Sequence, residues 1–266
     1  MSRNTSSSSG GIYHGIRGLM RDILQIFDEQ VLSIIGNGCI VCGESLKHGE
    51  RQVCLRCLAT LPRTYLWLVP HSSRRLAEAV NNAIAPPGFL ASWYYYNPSS
   101  PAAEIIRRAK YHEQPELARR MARYFALEML ADAPRRIPDG GVELKDIDVL
   151  LPMPMHWRKW LSRTFNQADY IADGLSEELG IPVGDNLEAV RRHTSQTHMS
   201  GSERRRNLQS SIRVNHPQEL DGLNVAIVDD VFTTGASMFE CAHAISLSGA
   251  RPASISVLTL GLTVQA

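Results

Sequence analysis

Two adjacent carboxylates, Asp229 and Asp230, stand between an apolar run and a cluster of hydroxyls in the stretch VDDVFTTGAS, residues 228–237. An ionised carboxylate only accepts hydrogen bonds, so a pair of them suits the paired hydroxyls of a sugar. The hydroxyls that follow suit a phosphate at a helix N-terminus, where N–H groups and a partial positive charge attract anions. This predicted cradle consists of Thr233, Thr234, Gly235 and Ser237. Together the two groups predict a site for a ribose 5-phosphate.

Two alternatives to the sugar-phosphate site exist for this stretch. It is not the nucleotide-binding P-loop, because the chain has no GxxxxGKS or GxxxxGKT pattern and the turn holds no lysine. The acids could instead only cap the helix or a turn. The combination of strand, acid pair and TTGxS turn favours the sugar-phosphate site over that alternative.

Four cysteines form two CxxC pairs, CIVC and CLRC. Two such pairs on tight turns can place four thiolates tetrahedrally around Zn²⁺ at about 2.3 Å, which fills the coordination shell and predicts a structural metal. Redox-active or merely buried thiols are the alternatives, and disulfides fit a reducing compartment poorly. The predicted ligands are Cys39, Cys42, Cys54 and Cys57. His48 lies between the pairs and is expected to be an exposed loop residue.

The segment RRHTSQTHMSGSERRRNL, residues 191–208, is strongly basic, because Glu203 is the one acidic residue among its arginines. With glycine and serine at its middle, it predicts a mobile clamp for a polyanion. A solvated helix surface is the alternative. Its arginines are Arg191, Arg192, Arg204, Arg205 and Arg206. Lys110, in AKYHEQPELA, is a weaker candidate, because a lysine at a helix end is most often solvated.

The elements that must position these residues alternate between strand and helix from about residue 90. Strands are predicted at 91–96, 147–151, 223–228 and 253–260, with helices between them. This alternation indicates βαβ units and a parallel sheet covered on both faces, an α/β fold. Ligands bind at the carboxyl ends of such strands, and DDVFTTG is predicted to be the loop after strand 223–228. Cys241 falls on the inward face of the last helix and is expected in the core.

Length and composition limit the size of the core, the classes of partner and the number of domains. The chain has 266 residues, 44% of them hydrophobic, and a net charge of +1, so it can bury a large core and has no overall field that would favour nucleic acid. Residues 1–12 are predicted to be a disordered tail, 13–36 an amphipathic helix, 37–70 the zinc module and 90–266 the main domain. No stretch approaches the roughly 18 apolar residues of a membrane span, so a cytoplasmic protein is expected.

Five segments, in this order, resemble the ComF/GntX family, competence-associated proteins with an N-terminal zinc module and a type I phosphoribosyltransferase-like domain. The segments are CIVC…CLRC, AKYHEQPELA, DVLLPMPMHWRKWLSRTFNQA, RRHTSQTHMSGSERRRNL and IVDDVFTTGAS. They span nearly everything from Cys39 onward. Thr164 stands where that family usually has the glycine of RGFNQ, and Ser237 replaces a more frequent threonine while keeping the hydroxyl.

The resemblance implies a type I phosphoribosyltransferase-like parallel sheet flanked by helices, with a small N-terminal zinc-binding module. It implies that phosphoribosyl pyrophosphate (PRPP) binds with Mg²⁺, and that Asp229 and Asp230 hold the ribose hydroxyls as the catalytic pair. The 5-phosphate would be held by Thr233, Thr234, Gly235, Ala236 and Ser237. The residues facing pyrophosphate or another polyanion would be Arg163, Asn166, Gln167, Arg191, Arg192, Arg204, Arg205 and Arg206.

Two functional hypotheses follow for natural competence, DNA uptake or the use of DNA. In the first, an unidentified acceptor attacks the anomeric carbon of PRPP while Mg²⁺ and arginines hold the pyrophosphate, with no covalent enzyme nucleophile. In the second, the protein is a non-catalytic single-stranded DNA-binding protein or adaptor with a vestigial or sensory pocket. Trp157, Trp160 and Phe165 lie close to basic residues, as base stacking requires. A DNA-uptake helicase is a candidate partner.

Overall fold

The computed structural model describes residues 38–69, 72–80, 85–111, 114–136, 140–155, 165–190 and 211–263. The predicted tail (1–12) and amphipathic helix (13–36) lie outside these ranges. The chain divides into two compact units, Met1–Ala59 and Thr60–Ala266. The described part of the first unit carries the two CxxC pairs, and the second unit contains the sheet.

The second unit is built on a parallel sheet. The strands in the described residues are β1 (Pro87–Tyr96), β2 (Val149–Pro152), β3 (Leu187–Ala189), β4 (Ile212–Val214), β5 (Asn224–Phe232) and β6 (Ser254–Thr263). Four of them form one sheet in the order β1-β6-β5-β2, with every neighbouring pair parallel. Strands β3 and β4 form a separate antiparallel pair. The parallel sheet confirms the prediction made from the alternation of strands and helices.

Strand β5 is longer than predicted. It continues past Val228 through both aspartates to Phe232, because β6 runs on beside it as far as the pairing of Phe232 with Leu262. The prediction that the whole of DDVFTTG is a loop was therefore wrong. Only residues 233–235 connect β5 to the next helix. The two carboxylates are consequently carried by hydrogen-bonded strand backbone, which fixes their positions more firmly than a loop would.

The helices in the described residues are α1 (Leu55–Thr60), α2 (Ser72–Val80), α3 (Pro101–Tyr111), α4 (Pro115–Asp132), α5 (Gln167–Leu179) and α6 (Ala236–Leu247). All of α1 except Thr60 belongs to the first unit, whereas α2 to α6 belong to the second unit and flank its sheet. Helices α2 and α6 share one apolar core with Val225 and Ile227 of the central strand β5, and Ala168 at the start of α5 belongs to the same core. Helices α3 and α5 pack against α4. Cys241 is fully buried in the core shared by α2 and α6, as predicted.

Local sequence signals account for the ends of these helices. The Ser100 hydroxyl accepts a hydrogen bond from the N–H of Ala103 at 3.2 Å and caps α3 just before Pro101. Gly180, with a φ of 71°, ends α5 in the left-handed conformation that glycine adopts without strain. Within the described ranges, no helix has the length and apolar character needed to cross a lipid bilayer.

Candidate functional site

A cleft of about 480 Å³ opens where the carboxyl ends of β2 and β5 meet the first turns of α5 and α6. This is the edge of a parallel sheet at which ligands bind. The predicted site residues that line the cleft are Asp229, Asp230, Thr233, Ser237, Asn166 and Gln167. The structure therefore brings together residues from two segments that are well separated in the sequence.

The other predicted residues divide into two groups. Thr234, Gly235 and Ala236 form the turn and the helix start beside the cleft without lining it. The second group lies outside the described residues and consists of Arg163, Arg191, Arg192, Arg204, Arg205 and Arg206. Thr164, Trp157 and Trp160 also lie outside them. Phe165 is described, and its ring packs edge-on against Tyr170 with centroids 5.7 Å apart.

The two carboxylates differ in their surroundings. Oδ1 of Asp229 accepts the backbone N–H of Asp230 at 2.8 Å, which turns this carboxylate back toward its own strand. Asp230 makes a close ion pair with the ammonium of Lys110, at the end of α3. The side chains of Asp230 and Lys110 are only 15% and 22% exposed, so this pair is partly withdrawn from solvent.

The sequence marked Lys110 only as a weaker candidate, because a lysine at a helix end is most often solvated. Lys110 lines the cleft and contacts one of the predicted site carboxylates. A signal for this position was present in the sequence. Lys110 lies one position after Ala109 and four after Ile106, both of which are buried, so helical periodicity places it at the edge of the buried stripe of α3.

The predicted phosphate cradle lies at the N-terminus of α6. Gly235 precedes the first turn with a φ of 82°, and the Thr234 hydroxyl accepts the N–H of Ala236 at 3.4 Å. The hydroxyls of Thr233 and Ser237 face the cleft and form no hydrogen bond with any residue that the structure describes. They are therefore available to an anion at the positive end of the helix.

Packing as well as conformation requires the glycine of this cradle. A Cβ atom on Gly235 would lie 2.5 Å from the Cβ of Ala79 in α2, far inside van der Waals contact. Any side chain at position 235 would therefore push α6 away from α2, in addition to straining a positive φ. The glycine sets the distance between two helices of the core, and this distance in turn places the start of α6 beside the cleft.

The opposite wall comes from the segment after β2 and the start of α5. The N–H of Met153 donates to the carbonyl of Val228 at 2.8 Å, which ties this segment to β5. The Asn166 amide donates to the carbonyl of Met153 at 3.1 Å and to Asp169 Oδ1 at 2.9 Å. Asn166 thus positions the wall as well as lining the cleft. Gln167 beside it is buried.

Two further cleft residues, Ser211 and Glu240, were not predicted from the sequence. The backbone N–H of Ser211 donates to Glu240 Oε1 at 3.0 Å, and its hydroxyl makes a second, very short contact with the same oxygen. This joins the start of β4 to α6 along one side of the cleft. Neither residue belongs to a recognisable local motif, so only their tertiary contact identifies them.

The four predicted metal ligands in the first unit lie together. The Sγ atoms of Cys39, Cys42, Cys54 and Cys57 are all within 4.8 Å of one another. Tetrahedral Zn–S bonds of about 2.3 Å would separate sulfur atoms by about 3.8 Å. The Cys42 and Cys54 sulfurs are 3.8 Å apart, so the cluster fits a metal such as zinc. His48 is exposed and is not one of the clustered residues, as expected.

Backbone amides prepare this cluster for a cation. Burial raises the pKa of the Cys39 thiol, but hydrogen bonds from backbone N–H groups outweigh burial and lower it to about 7. The donors include Cys54 at 3.3 Å and Val41 at 3.4 Å from the Cys39 sulfur. The thiolate is the form that binds metal, so these hydrogen bonds favour the binding state.

Comparison with known proteins gives three informative relatives, although no model of a known protein family matches this chain. DNA utilization protein YhgH of Salmonella typhimurium is 34% identical over 164 residues, which span 60% of this chain and 67% of the relative. Its Escherichia coli K12 counterpart is 29% identical over 80% of this chain and 85% of its own length. Competence protein F of Haemophilus influenzae is 34% identical over 53% of this chain and 59% of its own length. The relatives, the parallel sheet and the four-cysteine cluster agree, and the chain belongs to the ComF family.

Proposed function

We propose that this protein binds PRPP in the cleft at the carboxyl end of β5 and acts in the use or uptake of DNA during competence. The observation that carries the proposal is that β5 brings two carboxylates into the same cleft as the Thr233 and Ser237 hydroxyls at the start of α6. The biological process in this proposal is taken from the names of the relatives, which refer to DNA utilization and to competence. We place the protein in the cytoplasm, where cysteine thiols stay reduced and can bind metal.

Each part of the cleft has a chemical role in this proposal. Asp229 and Asp230 accept hydrogen bonds from the ribose hydroxyls, and the helix start with Thr233 and Ser237 binds the 5-phosphate. Two carboxylates are hard oxygen donors of the type that Mg²⁺ prefers, and ligand oxygens and water would complete its shell. Bound Mg²⁺ would supply charge neutralisation at the pyrophosphate. In this proposal the pyrophosphate lies toward Gln167 and the segment after β2, which line the cleft opposite the start of α6.

The same arrangement is suited to phosphoribosyl transfer. Catalysis by positioning and charge stabilisation needs no covalent nucleophile on the protein, and the cleft supplies acceptors for hydroxyls together with an anion cradle. An acceptor would enter along the wall formed by Ser211 and Glu240, where a carboxylate lies at the edge of the cleft. This acceptor defines the reaction and has to be found by a product screen.

Calorimetry with PRPP and Mg²⁺ tests the proposal on the zinc-loaded protein. We expect wild type to bind, and the Asp229→Asn, Asp230→Asn double variant to lose at least about 100-fold in affinity, because two charged hydrogen-bond acceptors are removed. Asp185→Asn is the matched control, since Asp185 is exposed and outside the cleft lining. Absence of PRPP binding by folded, zinc-loaded wild type would contradict the proposal, as would equal binding by the double variant.

A second candidate function is binding of single-stranded DNA by a non-catalytic protein. One observation favours it. Phe239, in the first turns of α6, is 42% exposed and stacks on His243 with ring centroids 5.9 Å apart and an angle of 10°. An exposed aromatic ring close to an anion cradle is the combination that binds a base next to a phosphate.

Fluorescence anisotropy with a labelled single-stranded oligonucleotide tests this second candidate. We expect affinity to fall steeply with salt, and Phe239→Ala to weaken binding about tenfold through lost stacking. Leu247→Ala is the control, because Leu247 is an exposed apolar residue two turns further along the same helix. Salt-independent binding, or binding unaffected by Phe239→Ala, would rule out this surface.

A further inference from the structure

The ion pair between Lys110 and Asp230 places a cation of the protein where the ligand is proposed to bind. Lys110 ends α3 and Asp230 lies in β5, so tertiary packing alone brings them together. Both side chains line the cleft and both are largely withdrawn from solvent. The pair is therefore part of the binding surface and differs from the exposed ion pairs elsewhere on α3.

This contact neutralises the negative charge of Asp230, whose side chain is largely withdrawn from solvent. An ionised carboxylate with little access to water is costly unless a cation or hydrogen-bond donors compensate it. The backbone N–H of Asp230 donates a hydrogen bond to one oxygen of Asp229, and the Lys110 ammonium forms an ion pair with the carboxylate of Asp230. Any sugar hydroxyl or divalent cation that needs the Asp230 oxygens must share them with this ammonium or displace it.

We propose that Lys110 is an exchangeable counter-ion, which holds Asp230 in the ligand-free protein and passes its ammonium to the phosphate oxygens of the ligand on binding. The identity of the ligand rests on the function proposed above. A lysine suits this exchange because its ammonium is a compact charge on a flexible stem that can turn between two acceptors. Thr233 and Ser237, which lie in the same cleft, mark the phosphate side toward which it would turn.

Two binding measurements on the zinc-loaded protein test the exchange. The first titrates Mn²⁺ alone, followed by electron paramagnetic resonance, and the second titrates PRPP at saturating Mg²⁺. For Lys110→Ala we expect Mn²⁺ affinity to rise about fivefold, because the competing ammonium is gone, and PRPP affinity to fall about tenfold, because a phosphate partner is lost. The two shifts have opposite signs, which a purely structural ion pair would not produce.

Arg107→Ala is the matched control. Arg107 lies one turn earlier on α3, pairs with Glu104 at 2.7 Å and is half exposed, so its loss removes the same charge from the same helix outside the cleft. It should change neither affinity. In an Asp230→Asn background, Lys110→Ala should no longer raise Mn²⁺ affinity, because the competition requires the Asp230 carboxylate.

The outcomes separate this proposal from the proposed function. Failure of wild type to bind PRPP would overturn the function, while the Mn²⁺ titration would still decide the role of Lys110. Mn²⁺ affinity that is unchanged, lowered or undetectable in Lys110→Ala would overturn the counter-ion exchange. A rise in both affinities would overturn the transfer of the ammonium to the ligand phosphate.

Discussion

Removing the metal should unfold the four-cysteine module of residues 38–59 and leave the sheet intact. The described part of this unit buries few apolar side chains besides its cysteines, chiefly Val53 and Leu58, so it has little core of its own. In zinc-finger peptides of similar size, metal binding supplies about 10–16 kcal/mol of apparent free energy. Loss of that contribution exceeds what so small an apolar cluster can replace.

Hydrogen exchange followed by mass spectrometry measures this effect. After treatment with a strong chelator, or in Cys57→Ser, amides of residues 38–59 should exchange fully, while those of β5 and β6 remain protected. Cys241→Ala is the control for loss of a thiol, because Cys241 is buried in the core of the second unit. It should keep one zinc per chain. Protection of the module that survives complete metal removal would show that the cysteines are merely buried thiols.

Gly174→Ala should destabilise the second unit, although the same change stabilises most helices. Glycine costs about 1 kcal/mol relative to alanine inside a helix, so propensity alone predicts a gain. In α5, however, a Cβ atom at position 174 would lie 2.2 Å from the carbonyl oxygen of Arg119 in α4. A backbone atom cannot swing aside as a flexible side chain can, so the two helices must separate. We expect a net loss of about 2 kcal/mol or more from this overpacking.

Thermal unfolding tests this expectation, with Ser176→Ala in the same helix as the control. Ser176 is only partly buried and already carries a Cβ atom, so the change to alanine adds no atom there and should leave stability unchanged or raise it slightly. Gly174→Ala should lower the melting temperature by about 5 °C or more. The ion pair between Arg119 in α4 and Glu177 in α5 spans the same interface and should weaken as the helices separate. A stabilised Gly174→Ala variant would mean that the helices are not held this closely.

The sequence predicted which strands and helices form more accurately than the residues at which they end. Apolar runs and helical periodicity predicted the parallel sheet, and the glycine at position 180 predicted the end of α5. The length of β5 was missed, because a strand continues for as long as a neighbour offers backbone partners. The Asp-Asp-Val-Phe stretch has no local preference strong enough to reveal that β6 runs beside it.

The residues of the cleft divide in the same way. Asp229, Asp230, Thr233 and Ser237 were identified from their spacing, because consecutive positions on one strand and helix start are fixed relative to each other by local geometry. Glu240 was not identified and Lys110 was only a weaker candidate, because their roles depend on which distant side chain each one meets.

The sequence by itself therefore determined which chemical groups this protein can offer: four thiols spaced for a metal, and an acid pair followed by the hydroxyls of a predicted phosphate cradle. Only the tertiary structure decided that Lys110 neutralises Asp230, that Asn166 fixes the wall of the cleft, and that Gly235 and Gly174 set the distances between helices. The physical reason is the separation along the chain over which each kind of interaction acts. Residue type and periodicity act over a few positions along the chain, whereas these contacts follow from the register of the sheet and the packing of helices on it.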